Sequence, residues 1–434
     1  MAFRNRARRG RPGRTAATAA LTAVAVAFGG SQALAQTPPA GFYVPPADIA
    51  TDSPGGIIRA EPSPLLIEVP SPDGPVPAAA TRIMYQSSDT HGNPIAVTGT
   101  YLDPAAPWIG PGPRPLVSMA PGTQGQGDQC APSKLLSQLI YFDYPLDLRG
   151  EYELPFMTAM LAQGIAVVMT DYEGLGTPGH HTYVNRKAQG HAVLDAARAA
   201  MNLPNTKISS GAPVALWGYS QGGGASAAAA ELHQSYAPEL DIKGAYAGAP
   251  PADLAEVLEV VDGTVLTGVI GYAINGFAHA YPEITPIIED EVNDLGRSVL
   301  RDVATQCVAE TALRFGFQQT RDYTRSREPL SVVLNRHDVV LEILADQRLG
   351  NARPSVPVLV QAGTADDIVP AQQVRTLVAE WCELGGTVRL SPNELPPVLP
   401  GLAVNHAVPY LAGVGESIEF INDRFAGSAA PSSC

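Results

Sequence analysis

Three residues that lie far apart in the chain, Ser220, Asp366 and His406, have the types and the order needed for nucleophilic chemistry. Ser220 sits in Gly218-Tyr219-Ser220-Gln221-Gly222, a G-x-S-x-G pentapeptide between the apolar run VALWGY and the small-residue run GGASAAAAELHQ. A strand, a tight turn and a helix in that order give the motif its meaning: the turn strains the central residue and holds its hydroxyl out above the sheet. The N–H of Gln221, at the start of the helix, then points toward any anion forming beside Ser220. Without that context, the pentapeptide could be only a glycine-rich packing turn.

A serine hydroxyl at its ordinary pKa is a weak nucleophile and needs a base, itself oriented by a carboxylate. On a sheet of this kind the chain order is Ser, acid, His. The loop Gly363-Thr364-Ala365-Asp366-Asp367-Ile368-Val369-Pro370 follows the strand-like VPVLVQ, and offers Asp366 as the acid with Asp367 as its rival. Either could instead cap the helix after Pro370. One histidine follows, His406 in GLAVNHAVPY, so it is the sole base that the order allows. A second oxyanion donor is expected in the glycine-rich loop PGTQG (121–125), at Thr123 first and Gln124 next.

The elements that must position these residues alternate along the chain. TRIMYQS (81–87) and IAVTGTYL (95–102), joined by a turn-rich link, predict an antiparallel pair. PLVSMA, IAVVMTDY, VALWGY, IKGAYAGA, VPVLVQAG and TVRLSP are near-continuously apolar, as buried parallel strands are. Between them FMTAMLAQG, GHAVLDAARAAM and GGASAAAAELHQ carry helical spacing. The pattern predicts an α/β fold, a mostly parallel sheet with helices on both faces. Residues 253–354 break the rhythm with about a hundred residues of helical pattern, which predicts a cap inserted over the C-terminal strand ends, where such sheets bind ligands. The expected division is a signal peptide at 1–35, an N-terminal surface arm at 36–77, a core at 78–252, the cap at 253–354 and the rest of the core at 355–434.

The first 35 residues hold six Arg and no acid, then a small apolar run, then Ala33-Leu34-Ala35, the order of a cleavable secretory signal. Arg8-Arg9 alone would suggest a twin-arginine route, but the GRPG after it fits that signal poorly. Cleavage after Ala35 would leave 22 basic residues against 42 acidic ones, a net charge of −20, which disfavours a nucleic-acid partner. No later run is long enough for a transmembrane anchor. Cys130, Cys307, Cys382 and Cys434 predict two disulfides in an exported chain, with three pairings open.

Other motifs carry less. His180, His181 and His191 follow DYEGLGTPG, and without a matching carboxylate or thiol spacing they read as local residues and not as metal ligands. GLGTPG (174–179) fits G-x-G-x-x-G, but no helix start follows it, so it reads as a turn lining the site and not as a dinucleotide loop.

Together DYEGLGTPG, GYSQGGG, CAPS (130–133), GTADDIVP and NHA (405–407) resemble the secretory lipase family of actinobacteria and yeasts, the lipase A-like α/β-hydrolases, from about Pro64 to Cys434. The resemblance implies an α/β-hydrolase core with an inserted helical lid, cofactor-free hydrolysis of carboxylic esters and triacylglycerols, and a Ser220, Asp366, His406 triad. It also implies the disulfides Cys130–Cys307 and Cys382–Cys434. Members often carry an acidic side chain in the oxyanion loop, where PGTQG offers only Thr123 and Gln124. The expected partner is an acyl-ester or lipid substrate, in solution or at a lipid–water interface, met by a monomer.

Two other readings fit the same motifs. A secreted serine peptidase would use Glu289-Asp290-Glu291 of the insertion to hold a substrate amine, although this acidic run is otherwise a solvated helix segment. A non-catalytic envelope-binding protein would keep the fold and have no use for the three ordered residues.

Overall fold

A computed structural model describes residues 41–49, 53–65, 78–137, 140–143 and 147–434. The expected signal peptide, with its cleavage site, lies outside the described residues. The strands in chain order are β1 (Ile57–Ser63), β2 (Ala78–Ser88), β3 (Pro94–Pro104), β4 (Leu116–Ala120), β5 (Ile140–Asp143), β6 (Asp147–Gly150), β7 (Ala166–Thr170), β8 (Val214–Tyr219), β9 (Ile242–Gly248), β10 (Val358–Gly363) and β11 (Val388–Asn393). Nine of them form one sheet in the order β1-β2-β3-β7-β4-β8-β9-β10-β11. The first four of that order pair antiparallel, and from β7 onward every pairing is parallel.

The apolar runs become the middle of the sheet for a simple reason. Every residue of β4, β7 and β8 is buried, so neither face can tolerate an exposed polar position. The helices are α1 (Pro132–Leu135), α2 (Leu154–Ala162), α3 (Arg186–Asn202) and α4 (Gln221–Tyr236). Between β9 and β10 come α5 (Leu254–Val261), α6 (Val269–Ala280), α7 (Thr285–Glu291), α8 (Asp294–Val303), α9 (Val308–Phe315), α10 (Leu330–Leu334) and α11 (Asp338–Gln347). Last are α12 (Ala371–Glu383) and α13 (Val404–Phe425). Helices α3, α4 and α12 are tied together by the buried carboxylate of Glu231. It accepts hydrogen bonds from Arg186 Nε (2.8 Å), Trp381 Nε1 (2.8 Å) and the Gly350 N–H (2.7 Å). A buried charge is tolerable only when its lone pairs are met in this way. On the other face, Phe156 of α2 stacks on Trp217, whose indole N–H donates to Ser417 of α13 at 3.0 Å.

The helical insertion builds an apolar wall from its own periodicity. Asp253 caps α5 by accepting from the Ala255 N–H at 3.0 Å. Leu254, Val257, Leu258 and Val261 then fall on one stripe at i, i+3, i+4 and i+7, and all four face the same cavity. On α6, Val269, Ile270, Ala273, Ile274 and Phe277 do likewise. The Cys130–Cys307 disulfide ties the insertion to the segment after β4, and Cys382–Cys434 fastens the C-terminus to α12.

One expectation is corrected. The segment 36–77 is not simply a surface arm, because it contributes β1, paired antiparallel to β2 at the sheet edge, and buries Phe42 and Tyr43. Its Pro and Gly content hid a strand whose alternation is weak, since an edge strand has few wholly buried positions. The β5–β6 hairpin also had no clear signal, because Ile140, Tyr141, Phe142 and Leu148 are apolar yet exposed.

The turn between β8 and α4 depends on close backbone approach. A Cβ on Gly222 would stand 2.0 Å from the Ala120 carbonyl oxygen, and one on Gly223 would stand 2.0 Å from the Gly248 carbonyl oxygen. Gly223→Ala is therefore expected to cost about 3 kcal/mol or more by overpacking, seen as a lower melting temperature or loss of folded protein. Gly211→Ala, where a new methyl meets nothing within 4 Å, serves as the control and should melt like the parent.

Candidate active site

Ser220 occupies the corner between β8 and α4 with φ 59° and ψ −123°, a left-handed backbone that a side chain rarely adopts. The corner is held on both sides. The Ser220 N–H donates to the Gly248 carbonyl at 2.8 Å, and its own carbonyl accepts the Gly224 N–H at 3.0 Å. The Ser220 hydroxyl therefore projects beyond the C-terminal end of β8, where α4 begins with N–H groups that have no carbonyl one turn earlier.

His406 and Asp366 come to this corner from later in the chain. His406 lies in the first turn of α13, after Ala403 in the left-handed region at φ 58°. Its carbonyl accepts the Tyr219 hydroxyl at 2.7 Å, which locks the start of α13 against β8. His406 Nδ1 lies 2.8 Å from Asp366 Oδ2, and Nε2 lies 2.8 Å from Ser220 Oγ. A carboxylate can only accept here, so Nδ1 carries the proton and Nε2 presents its lone pair to the serine. Asp366 is held in turn, its Oδ1 accepting from the N–H groups of Ile368 and Val369, each at 2.9 Å. The rival Asp367 does not reach the imidazole. Its Oδ2 accepts from the Gly401 N–H at 2.7 Å and from Asn405 Nδ2 at 3.4 Å, tying down the loop that leads into α13.

The loop after β4 is gripped at nearly every residue. The Pro121 carbonyl accepts the Tyr172 hydroxyl at 2.8 Å, and the Gly122 N–H donates to Glu153 Oε1 at 2.6 Å. The Thr123 carbonyl accepts the Tyr152 hydroxyl at 2.9 Å, while the Thr123 hydroxyl meets the Tyr183 hydroxyl at 2.7 Å. Gln124 donates through Nε2 to Glu153 Oε2 at 3.2 Å and accepts the Val308 N–H at 2.8 Å. Gly125 pairs with Cys307, the disulfide partner of Cys130. Thr123 lines the cavity with Ser220, whereas the Gln124 side chain is turned away into the core.

Glu151 and Glu153 were not legible as site residues. Both are buried, and burial raises both carboxyls, Glu151 the further because the charge of Glu153 adds to it. Glu153 uses both of its side-chain oxygens to accept from the loop. In sequence, EYELP shows two ordinary surface-type acids, and only burial makes them unusual. An acid does support this loop, as in the pattern PGTQG departs from, but it comes from the segment before α2.

His181 was also missed as a neighbour of the site. Its Nδ1–H donates to the Glu173 carbonyl at 2.9 Å, leaving Nε2 to accept the Gln221 side-chain amide at 3.0 Å. Burial lowers its pKa to about 4, so it stays neutral. The other two histidines of that group face elsewhere: His180 meets His279, and His191 stacks on Tyr236. No group of three or more metal-ligating side chains is gathered among the described residues. The GLGTPG turn does not line the site. Leu175 packs on the Cys130–Cys307 disulfide and Gly176 on Ala131, and the chain reaches the cavity only at Tyr183 and Val184.

Ser220, Thr123 and Gln221 open into a cavity of about 190 Å³. It is walled by the apolar stripes of α5 and α6, with Leu330, Val333 and Ile343 from α10 and α11. The arrangement is a hydroxyl bonded to an imidazole, which is bonded to a buried carboxylate, at the mouth of an apolar chamber.

The chain is similar to several known proteins. The sequence profile of the secretory lipase family matches residues 146–433. A Mycobacterium tuberculosis protein named a probable inactive lipase is 30% identical over 391 residues, 89% of this chain and 82% of that protein. Lipase 10 of Candida albicans is 29% identical over 92% of this chain and 83% of its own. The solved structure of Candida antarctica lipase A in its closed state is similar with a TM-score of 0.74 and 25% identity, covering 91% of this chain and 87% of that one. The rice cell wall degrading esterase LipA from Xanthomonas oryzae shares the fold at a TM-score of 0.69 and 20% identity, covering 86% of this chain and 99% of that one. With its mostly parallel sheet, its inserted helices and its ordered Ser, Asp and His, the chain belongs to the secretory lipase family.

Proposed function

We propose that this chain is a secreted serine hydrolase of carboxylic esters with an apolar acyl part, triacylglycerols included, that works through Ser220, His406 and Asp366. The carrying observation is the unbroken chain of two 2.8 Å contacts from Asp366 through His406 to Ser220 at the mouth of an apolar cavity. Ser220 Oγ attacks the ester carbonyl as its proton passes to His406 Nε2, and Asp366 stabilises the resulting imidazolium. The oxyanion is held by the N–H groups of Gln221 and Thr123. The alcohol leaves with the proton from His406, and water then repeats the two steps on the acyl-enzyme, returning a carboxylic acid and free Ser220. In this reading residues 253–354 act as the cap that keeps water from the acyl chain. Secretion is supported by the basic, apolar and small-residue order of residues 1–35 and by the two disulfides.

The peptidase reading has less behind it, since of its three candidate acids only Glu291 reaches the cavity, and it is already paired with His337. The non-catalytic reading is favoured by the name of the mycobacterial relative, and one experiment separates it from ours. The parent should label with a fluorophosphonate and hydrolyse p-nitrophenyl butyrate. Ser220→Ala should do neither, with kcat lower by at least about 10³-fold and an unchanged melting temperature. A Ser220→Ala protein as active as the parent would remove the proposal.

Further outcomes separate the neighbouring groups. Asp366→Asn should lower kcat by about 10⁴-fold, whereas Asp367→Asn should act mildly through the loop it ties down. Glu153→Gln faces Gln124 with a donor where an acceptor stood, and is expected to lower kcat by up to about 10²-fold with little change in KM. The exchange Glu153→Gln with Gln124→Glu restores a donor–acceptor pair and should recover much of that loss. Because His181 is neutral above about pH 5, His181→Phe should lower the height of the kcat against pH curve without moving its acid limb.

A further inference from the structure

Apart from Thr123, Tyr183, Ser220 and Gln221 at the catalytic end, the described residues lining the cavity include two polar side chains, Glu291 and His337. Glu291 ends α7 and His337 immediately precedes α11, so both belong to the helical insertion. They meet each other, His337 Nε2 to Glu291 Oε1, at 2.9 Å. The side chains of His337 and Glu291 are 23% and 21% exposed, so the pair is partly open to solvent. No guanidinium is bonded to that carboxylate among the described residues. Arg336 is bonded to Glu328, and Arg325 donates its guanidinium to the Glu289 carbonyl and its backbone N–H to the Glu291 carbonyl. The imidazole occupies one Glu291 oxygen, and no described residue donates to the other.

We infer that Glu291 and His337 form a polar end-stop of the acyl-binding cavity, which selects acyl chains bearing a hydroxyl at their far end over plain alkyl chains of the same length. The inference rests on the ester-hydrolase reading above. A plain chain long enough to arrive here would press a methyl group against a hydrogen-bonded polar pair and strip water from it with nothing in return. A terminal hydroxyl can donate to the free oxygen of Glu291, replacing the water it displaces. Short chains end among the leucines, isoleucines and valines of α5 and α6 and are indifferent to the pair. The apolar wall thus accepts the chain, and the pair at its end distinguishes what terminates it.

The test is a series of p-nitrophenyl esters from four to eighteen carbons, each as the plain acyl chain and as its ω-hydroxy counterpart, assayed below the solubility limit. In the parent, the two forms should be hydrolysed alike at short lengths. Beyond one length, the ω-hydroxy ester should be favoured by about tenfold in kcat/KM. Glu291→Leu with His337→Leu should abolish or invert that ratio while leaving hydrolysis of the four-carbon ester unchanged. If circular dichroism shows that this double variant does not fold, Glu291→Gln, which keeps shape and an acceptor but loses the charge, should reduce the ratio part-way. A ratio near one at every length in the parent, or a ratio untouched by a folded variant, would overturn the inference so long as the four-carbon ester is turned over. No turnover of that short ester would instead count against the ester-hydrolase reading itself.

Discussion

The backbone of Ser220 is held at φ 59° between a strand and a helix, and the rest of the site is arranged around that corner. A non-glycine residue in such a conformation costs on the order of 1–3 kcal/mol and survives only where its surroundings leave no alternative. Here they leave none. The Ser220 N–H and carbonyl are both used, by Gly248 and Gly224, and the glycines at 222 and 223 let two neighbouring backbones close in to distances that a methyl would forbid. Relaxing the serine would mean separating β4, β8 and β9 at their buried C-terminal ends. The strain is therefore stored by the sheet, and its product is a hydroxyl fixed in place with His406 as its hydrogen-bond partner.

The same principle governs the loop from Pro121 to Gly125. In the proposed mechanism this loop presents one N–H to the substrate, and a loop with that task cannot be left to its own conformational entropy. Its neighbours Tyr172, Tyr152, Tyr183 and Glu153 grip its carbonyls, an N–H and its hydroxyl, and the Cys130–Cys307 disulfide closes the far end. Burial raises both carboxyls of Glu151 and Glu153, since the core disfavours their charged forms. Glu153 is where the two loop donors, the Gly122 N–H and the Gln124 amide, converge. Rigidity at the loop is thus obtained from polar contacts, whereas the chamber facing it is built from apolar helix stripes that make few directional demands.

Much of this was legible in the linear chain because it depends on local pattern. The buried strands are near-continuously apolar, and α5 and α6 repeat their apolar residues at helical spacing. The order Ser220, Asp366, His406 follows from which strand each residue succeeds. What escaped detection is what local pattern cannot carry. β1 is an edge strand with weak alternation. GLGTPG sits a few residues from the cavity but packs on a disulfide instead. Glu151, Glu153 and His181 are common polar residues whose importance comes from being buried beside segments distant in sequence.

The pair Asp366 and Asp367 marks the boundary between the two kinds of information. The sequence alone determined that a carboxylate follows β10, that a histidine follows β11, and that a serine sits in a glycine-framed turn after β8, because side-chain period and turn chemistry are properties of adjacent residues. Which aspartate meets the histidine was decided only by the tertiary structure. Neighbouring residues in a tight loop point in different directions, so Asp366 turns toward His406 while Asp367 turns to Gly401 and Asn405. The same holds for the meeting of Glu291 and His337, 46 positions apart, across the chamber wall. Distances between remote side chains arise from the packing of whole elements, and no stretch of sequence contains them.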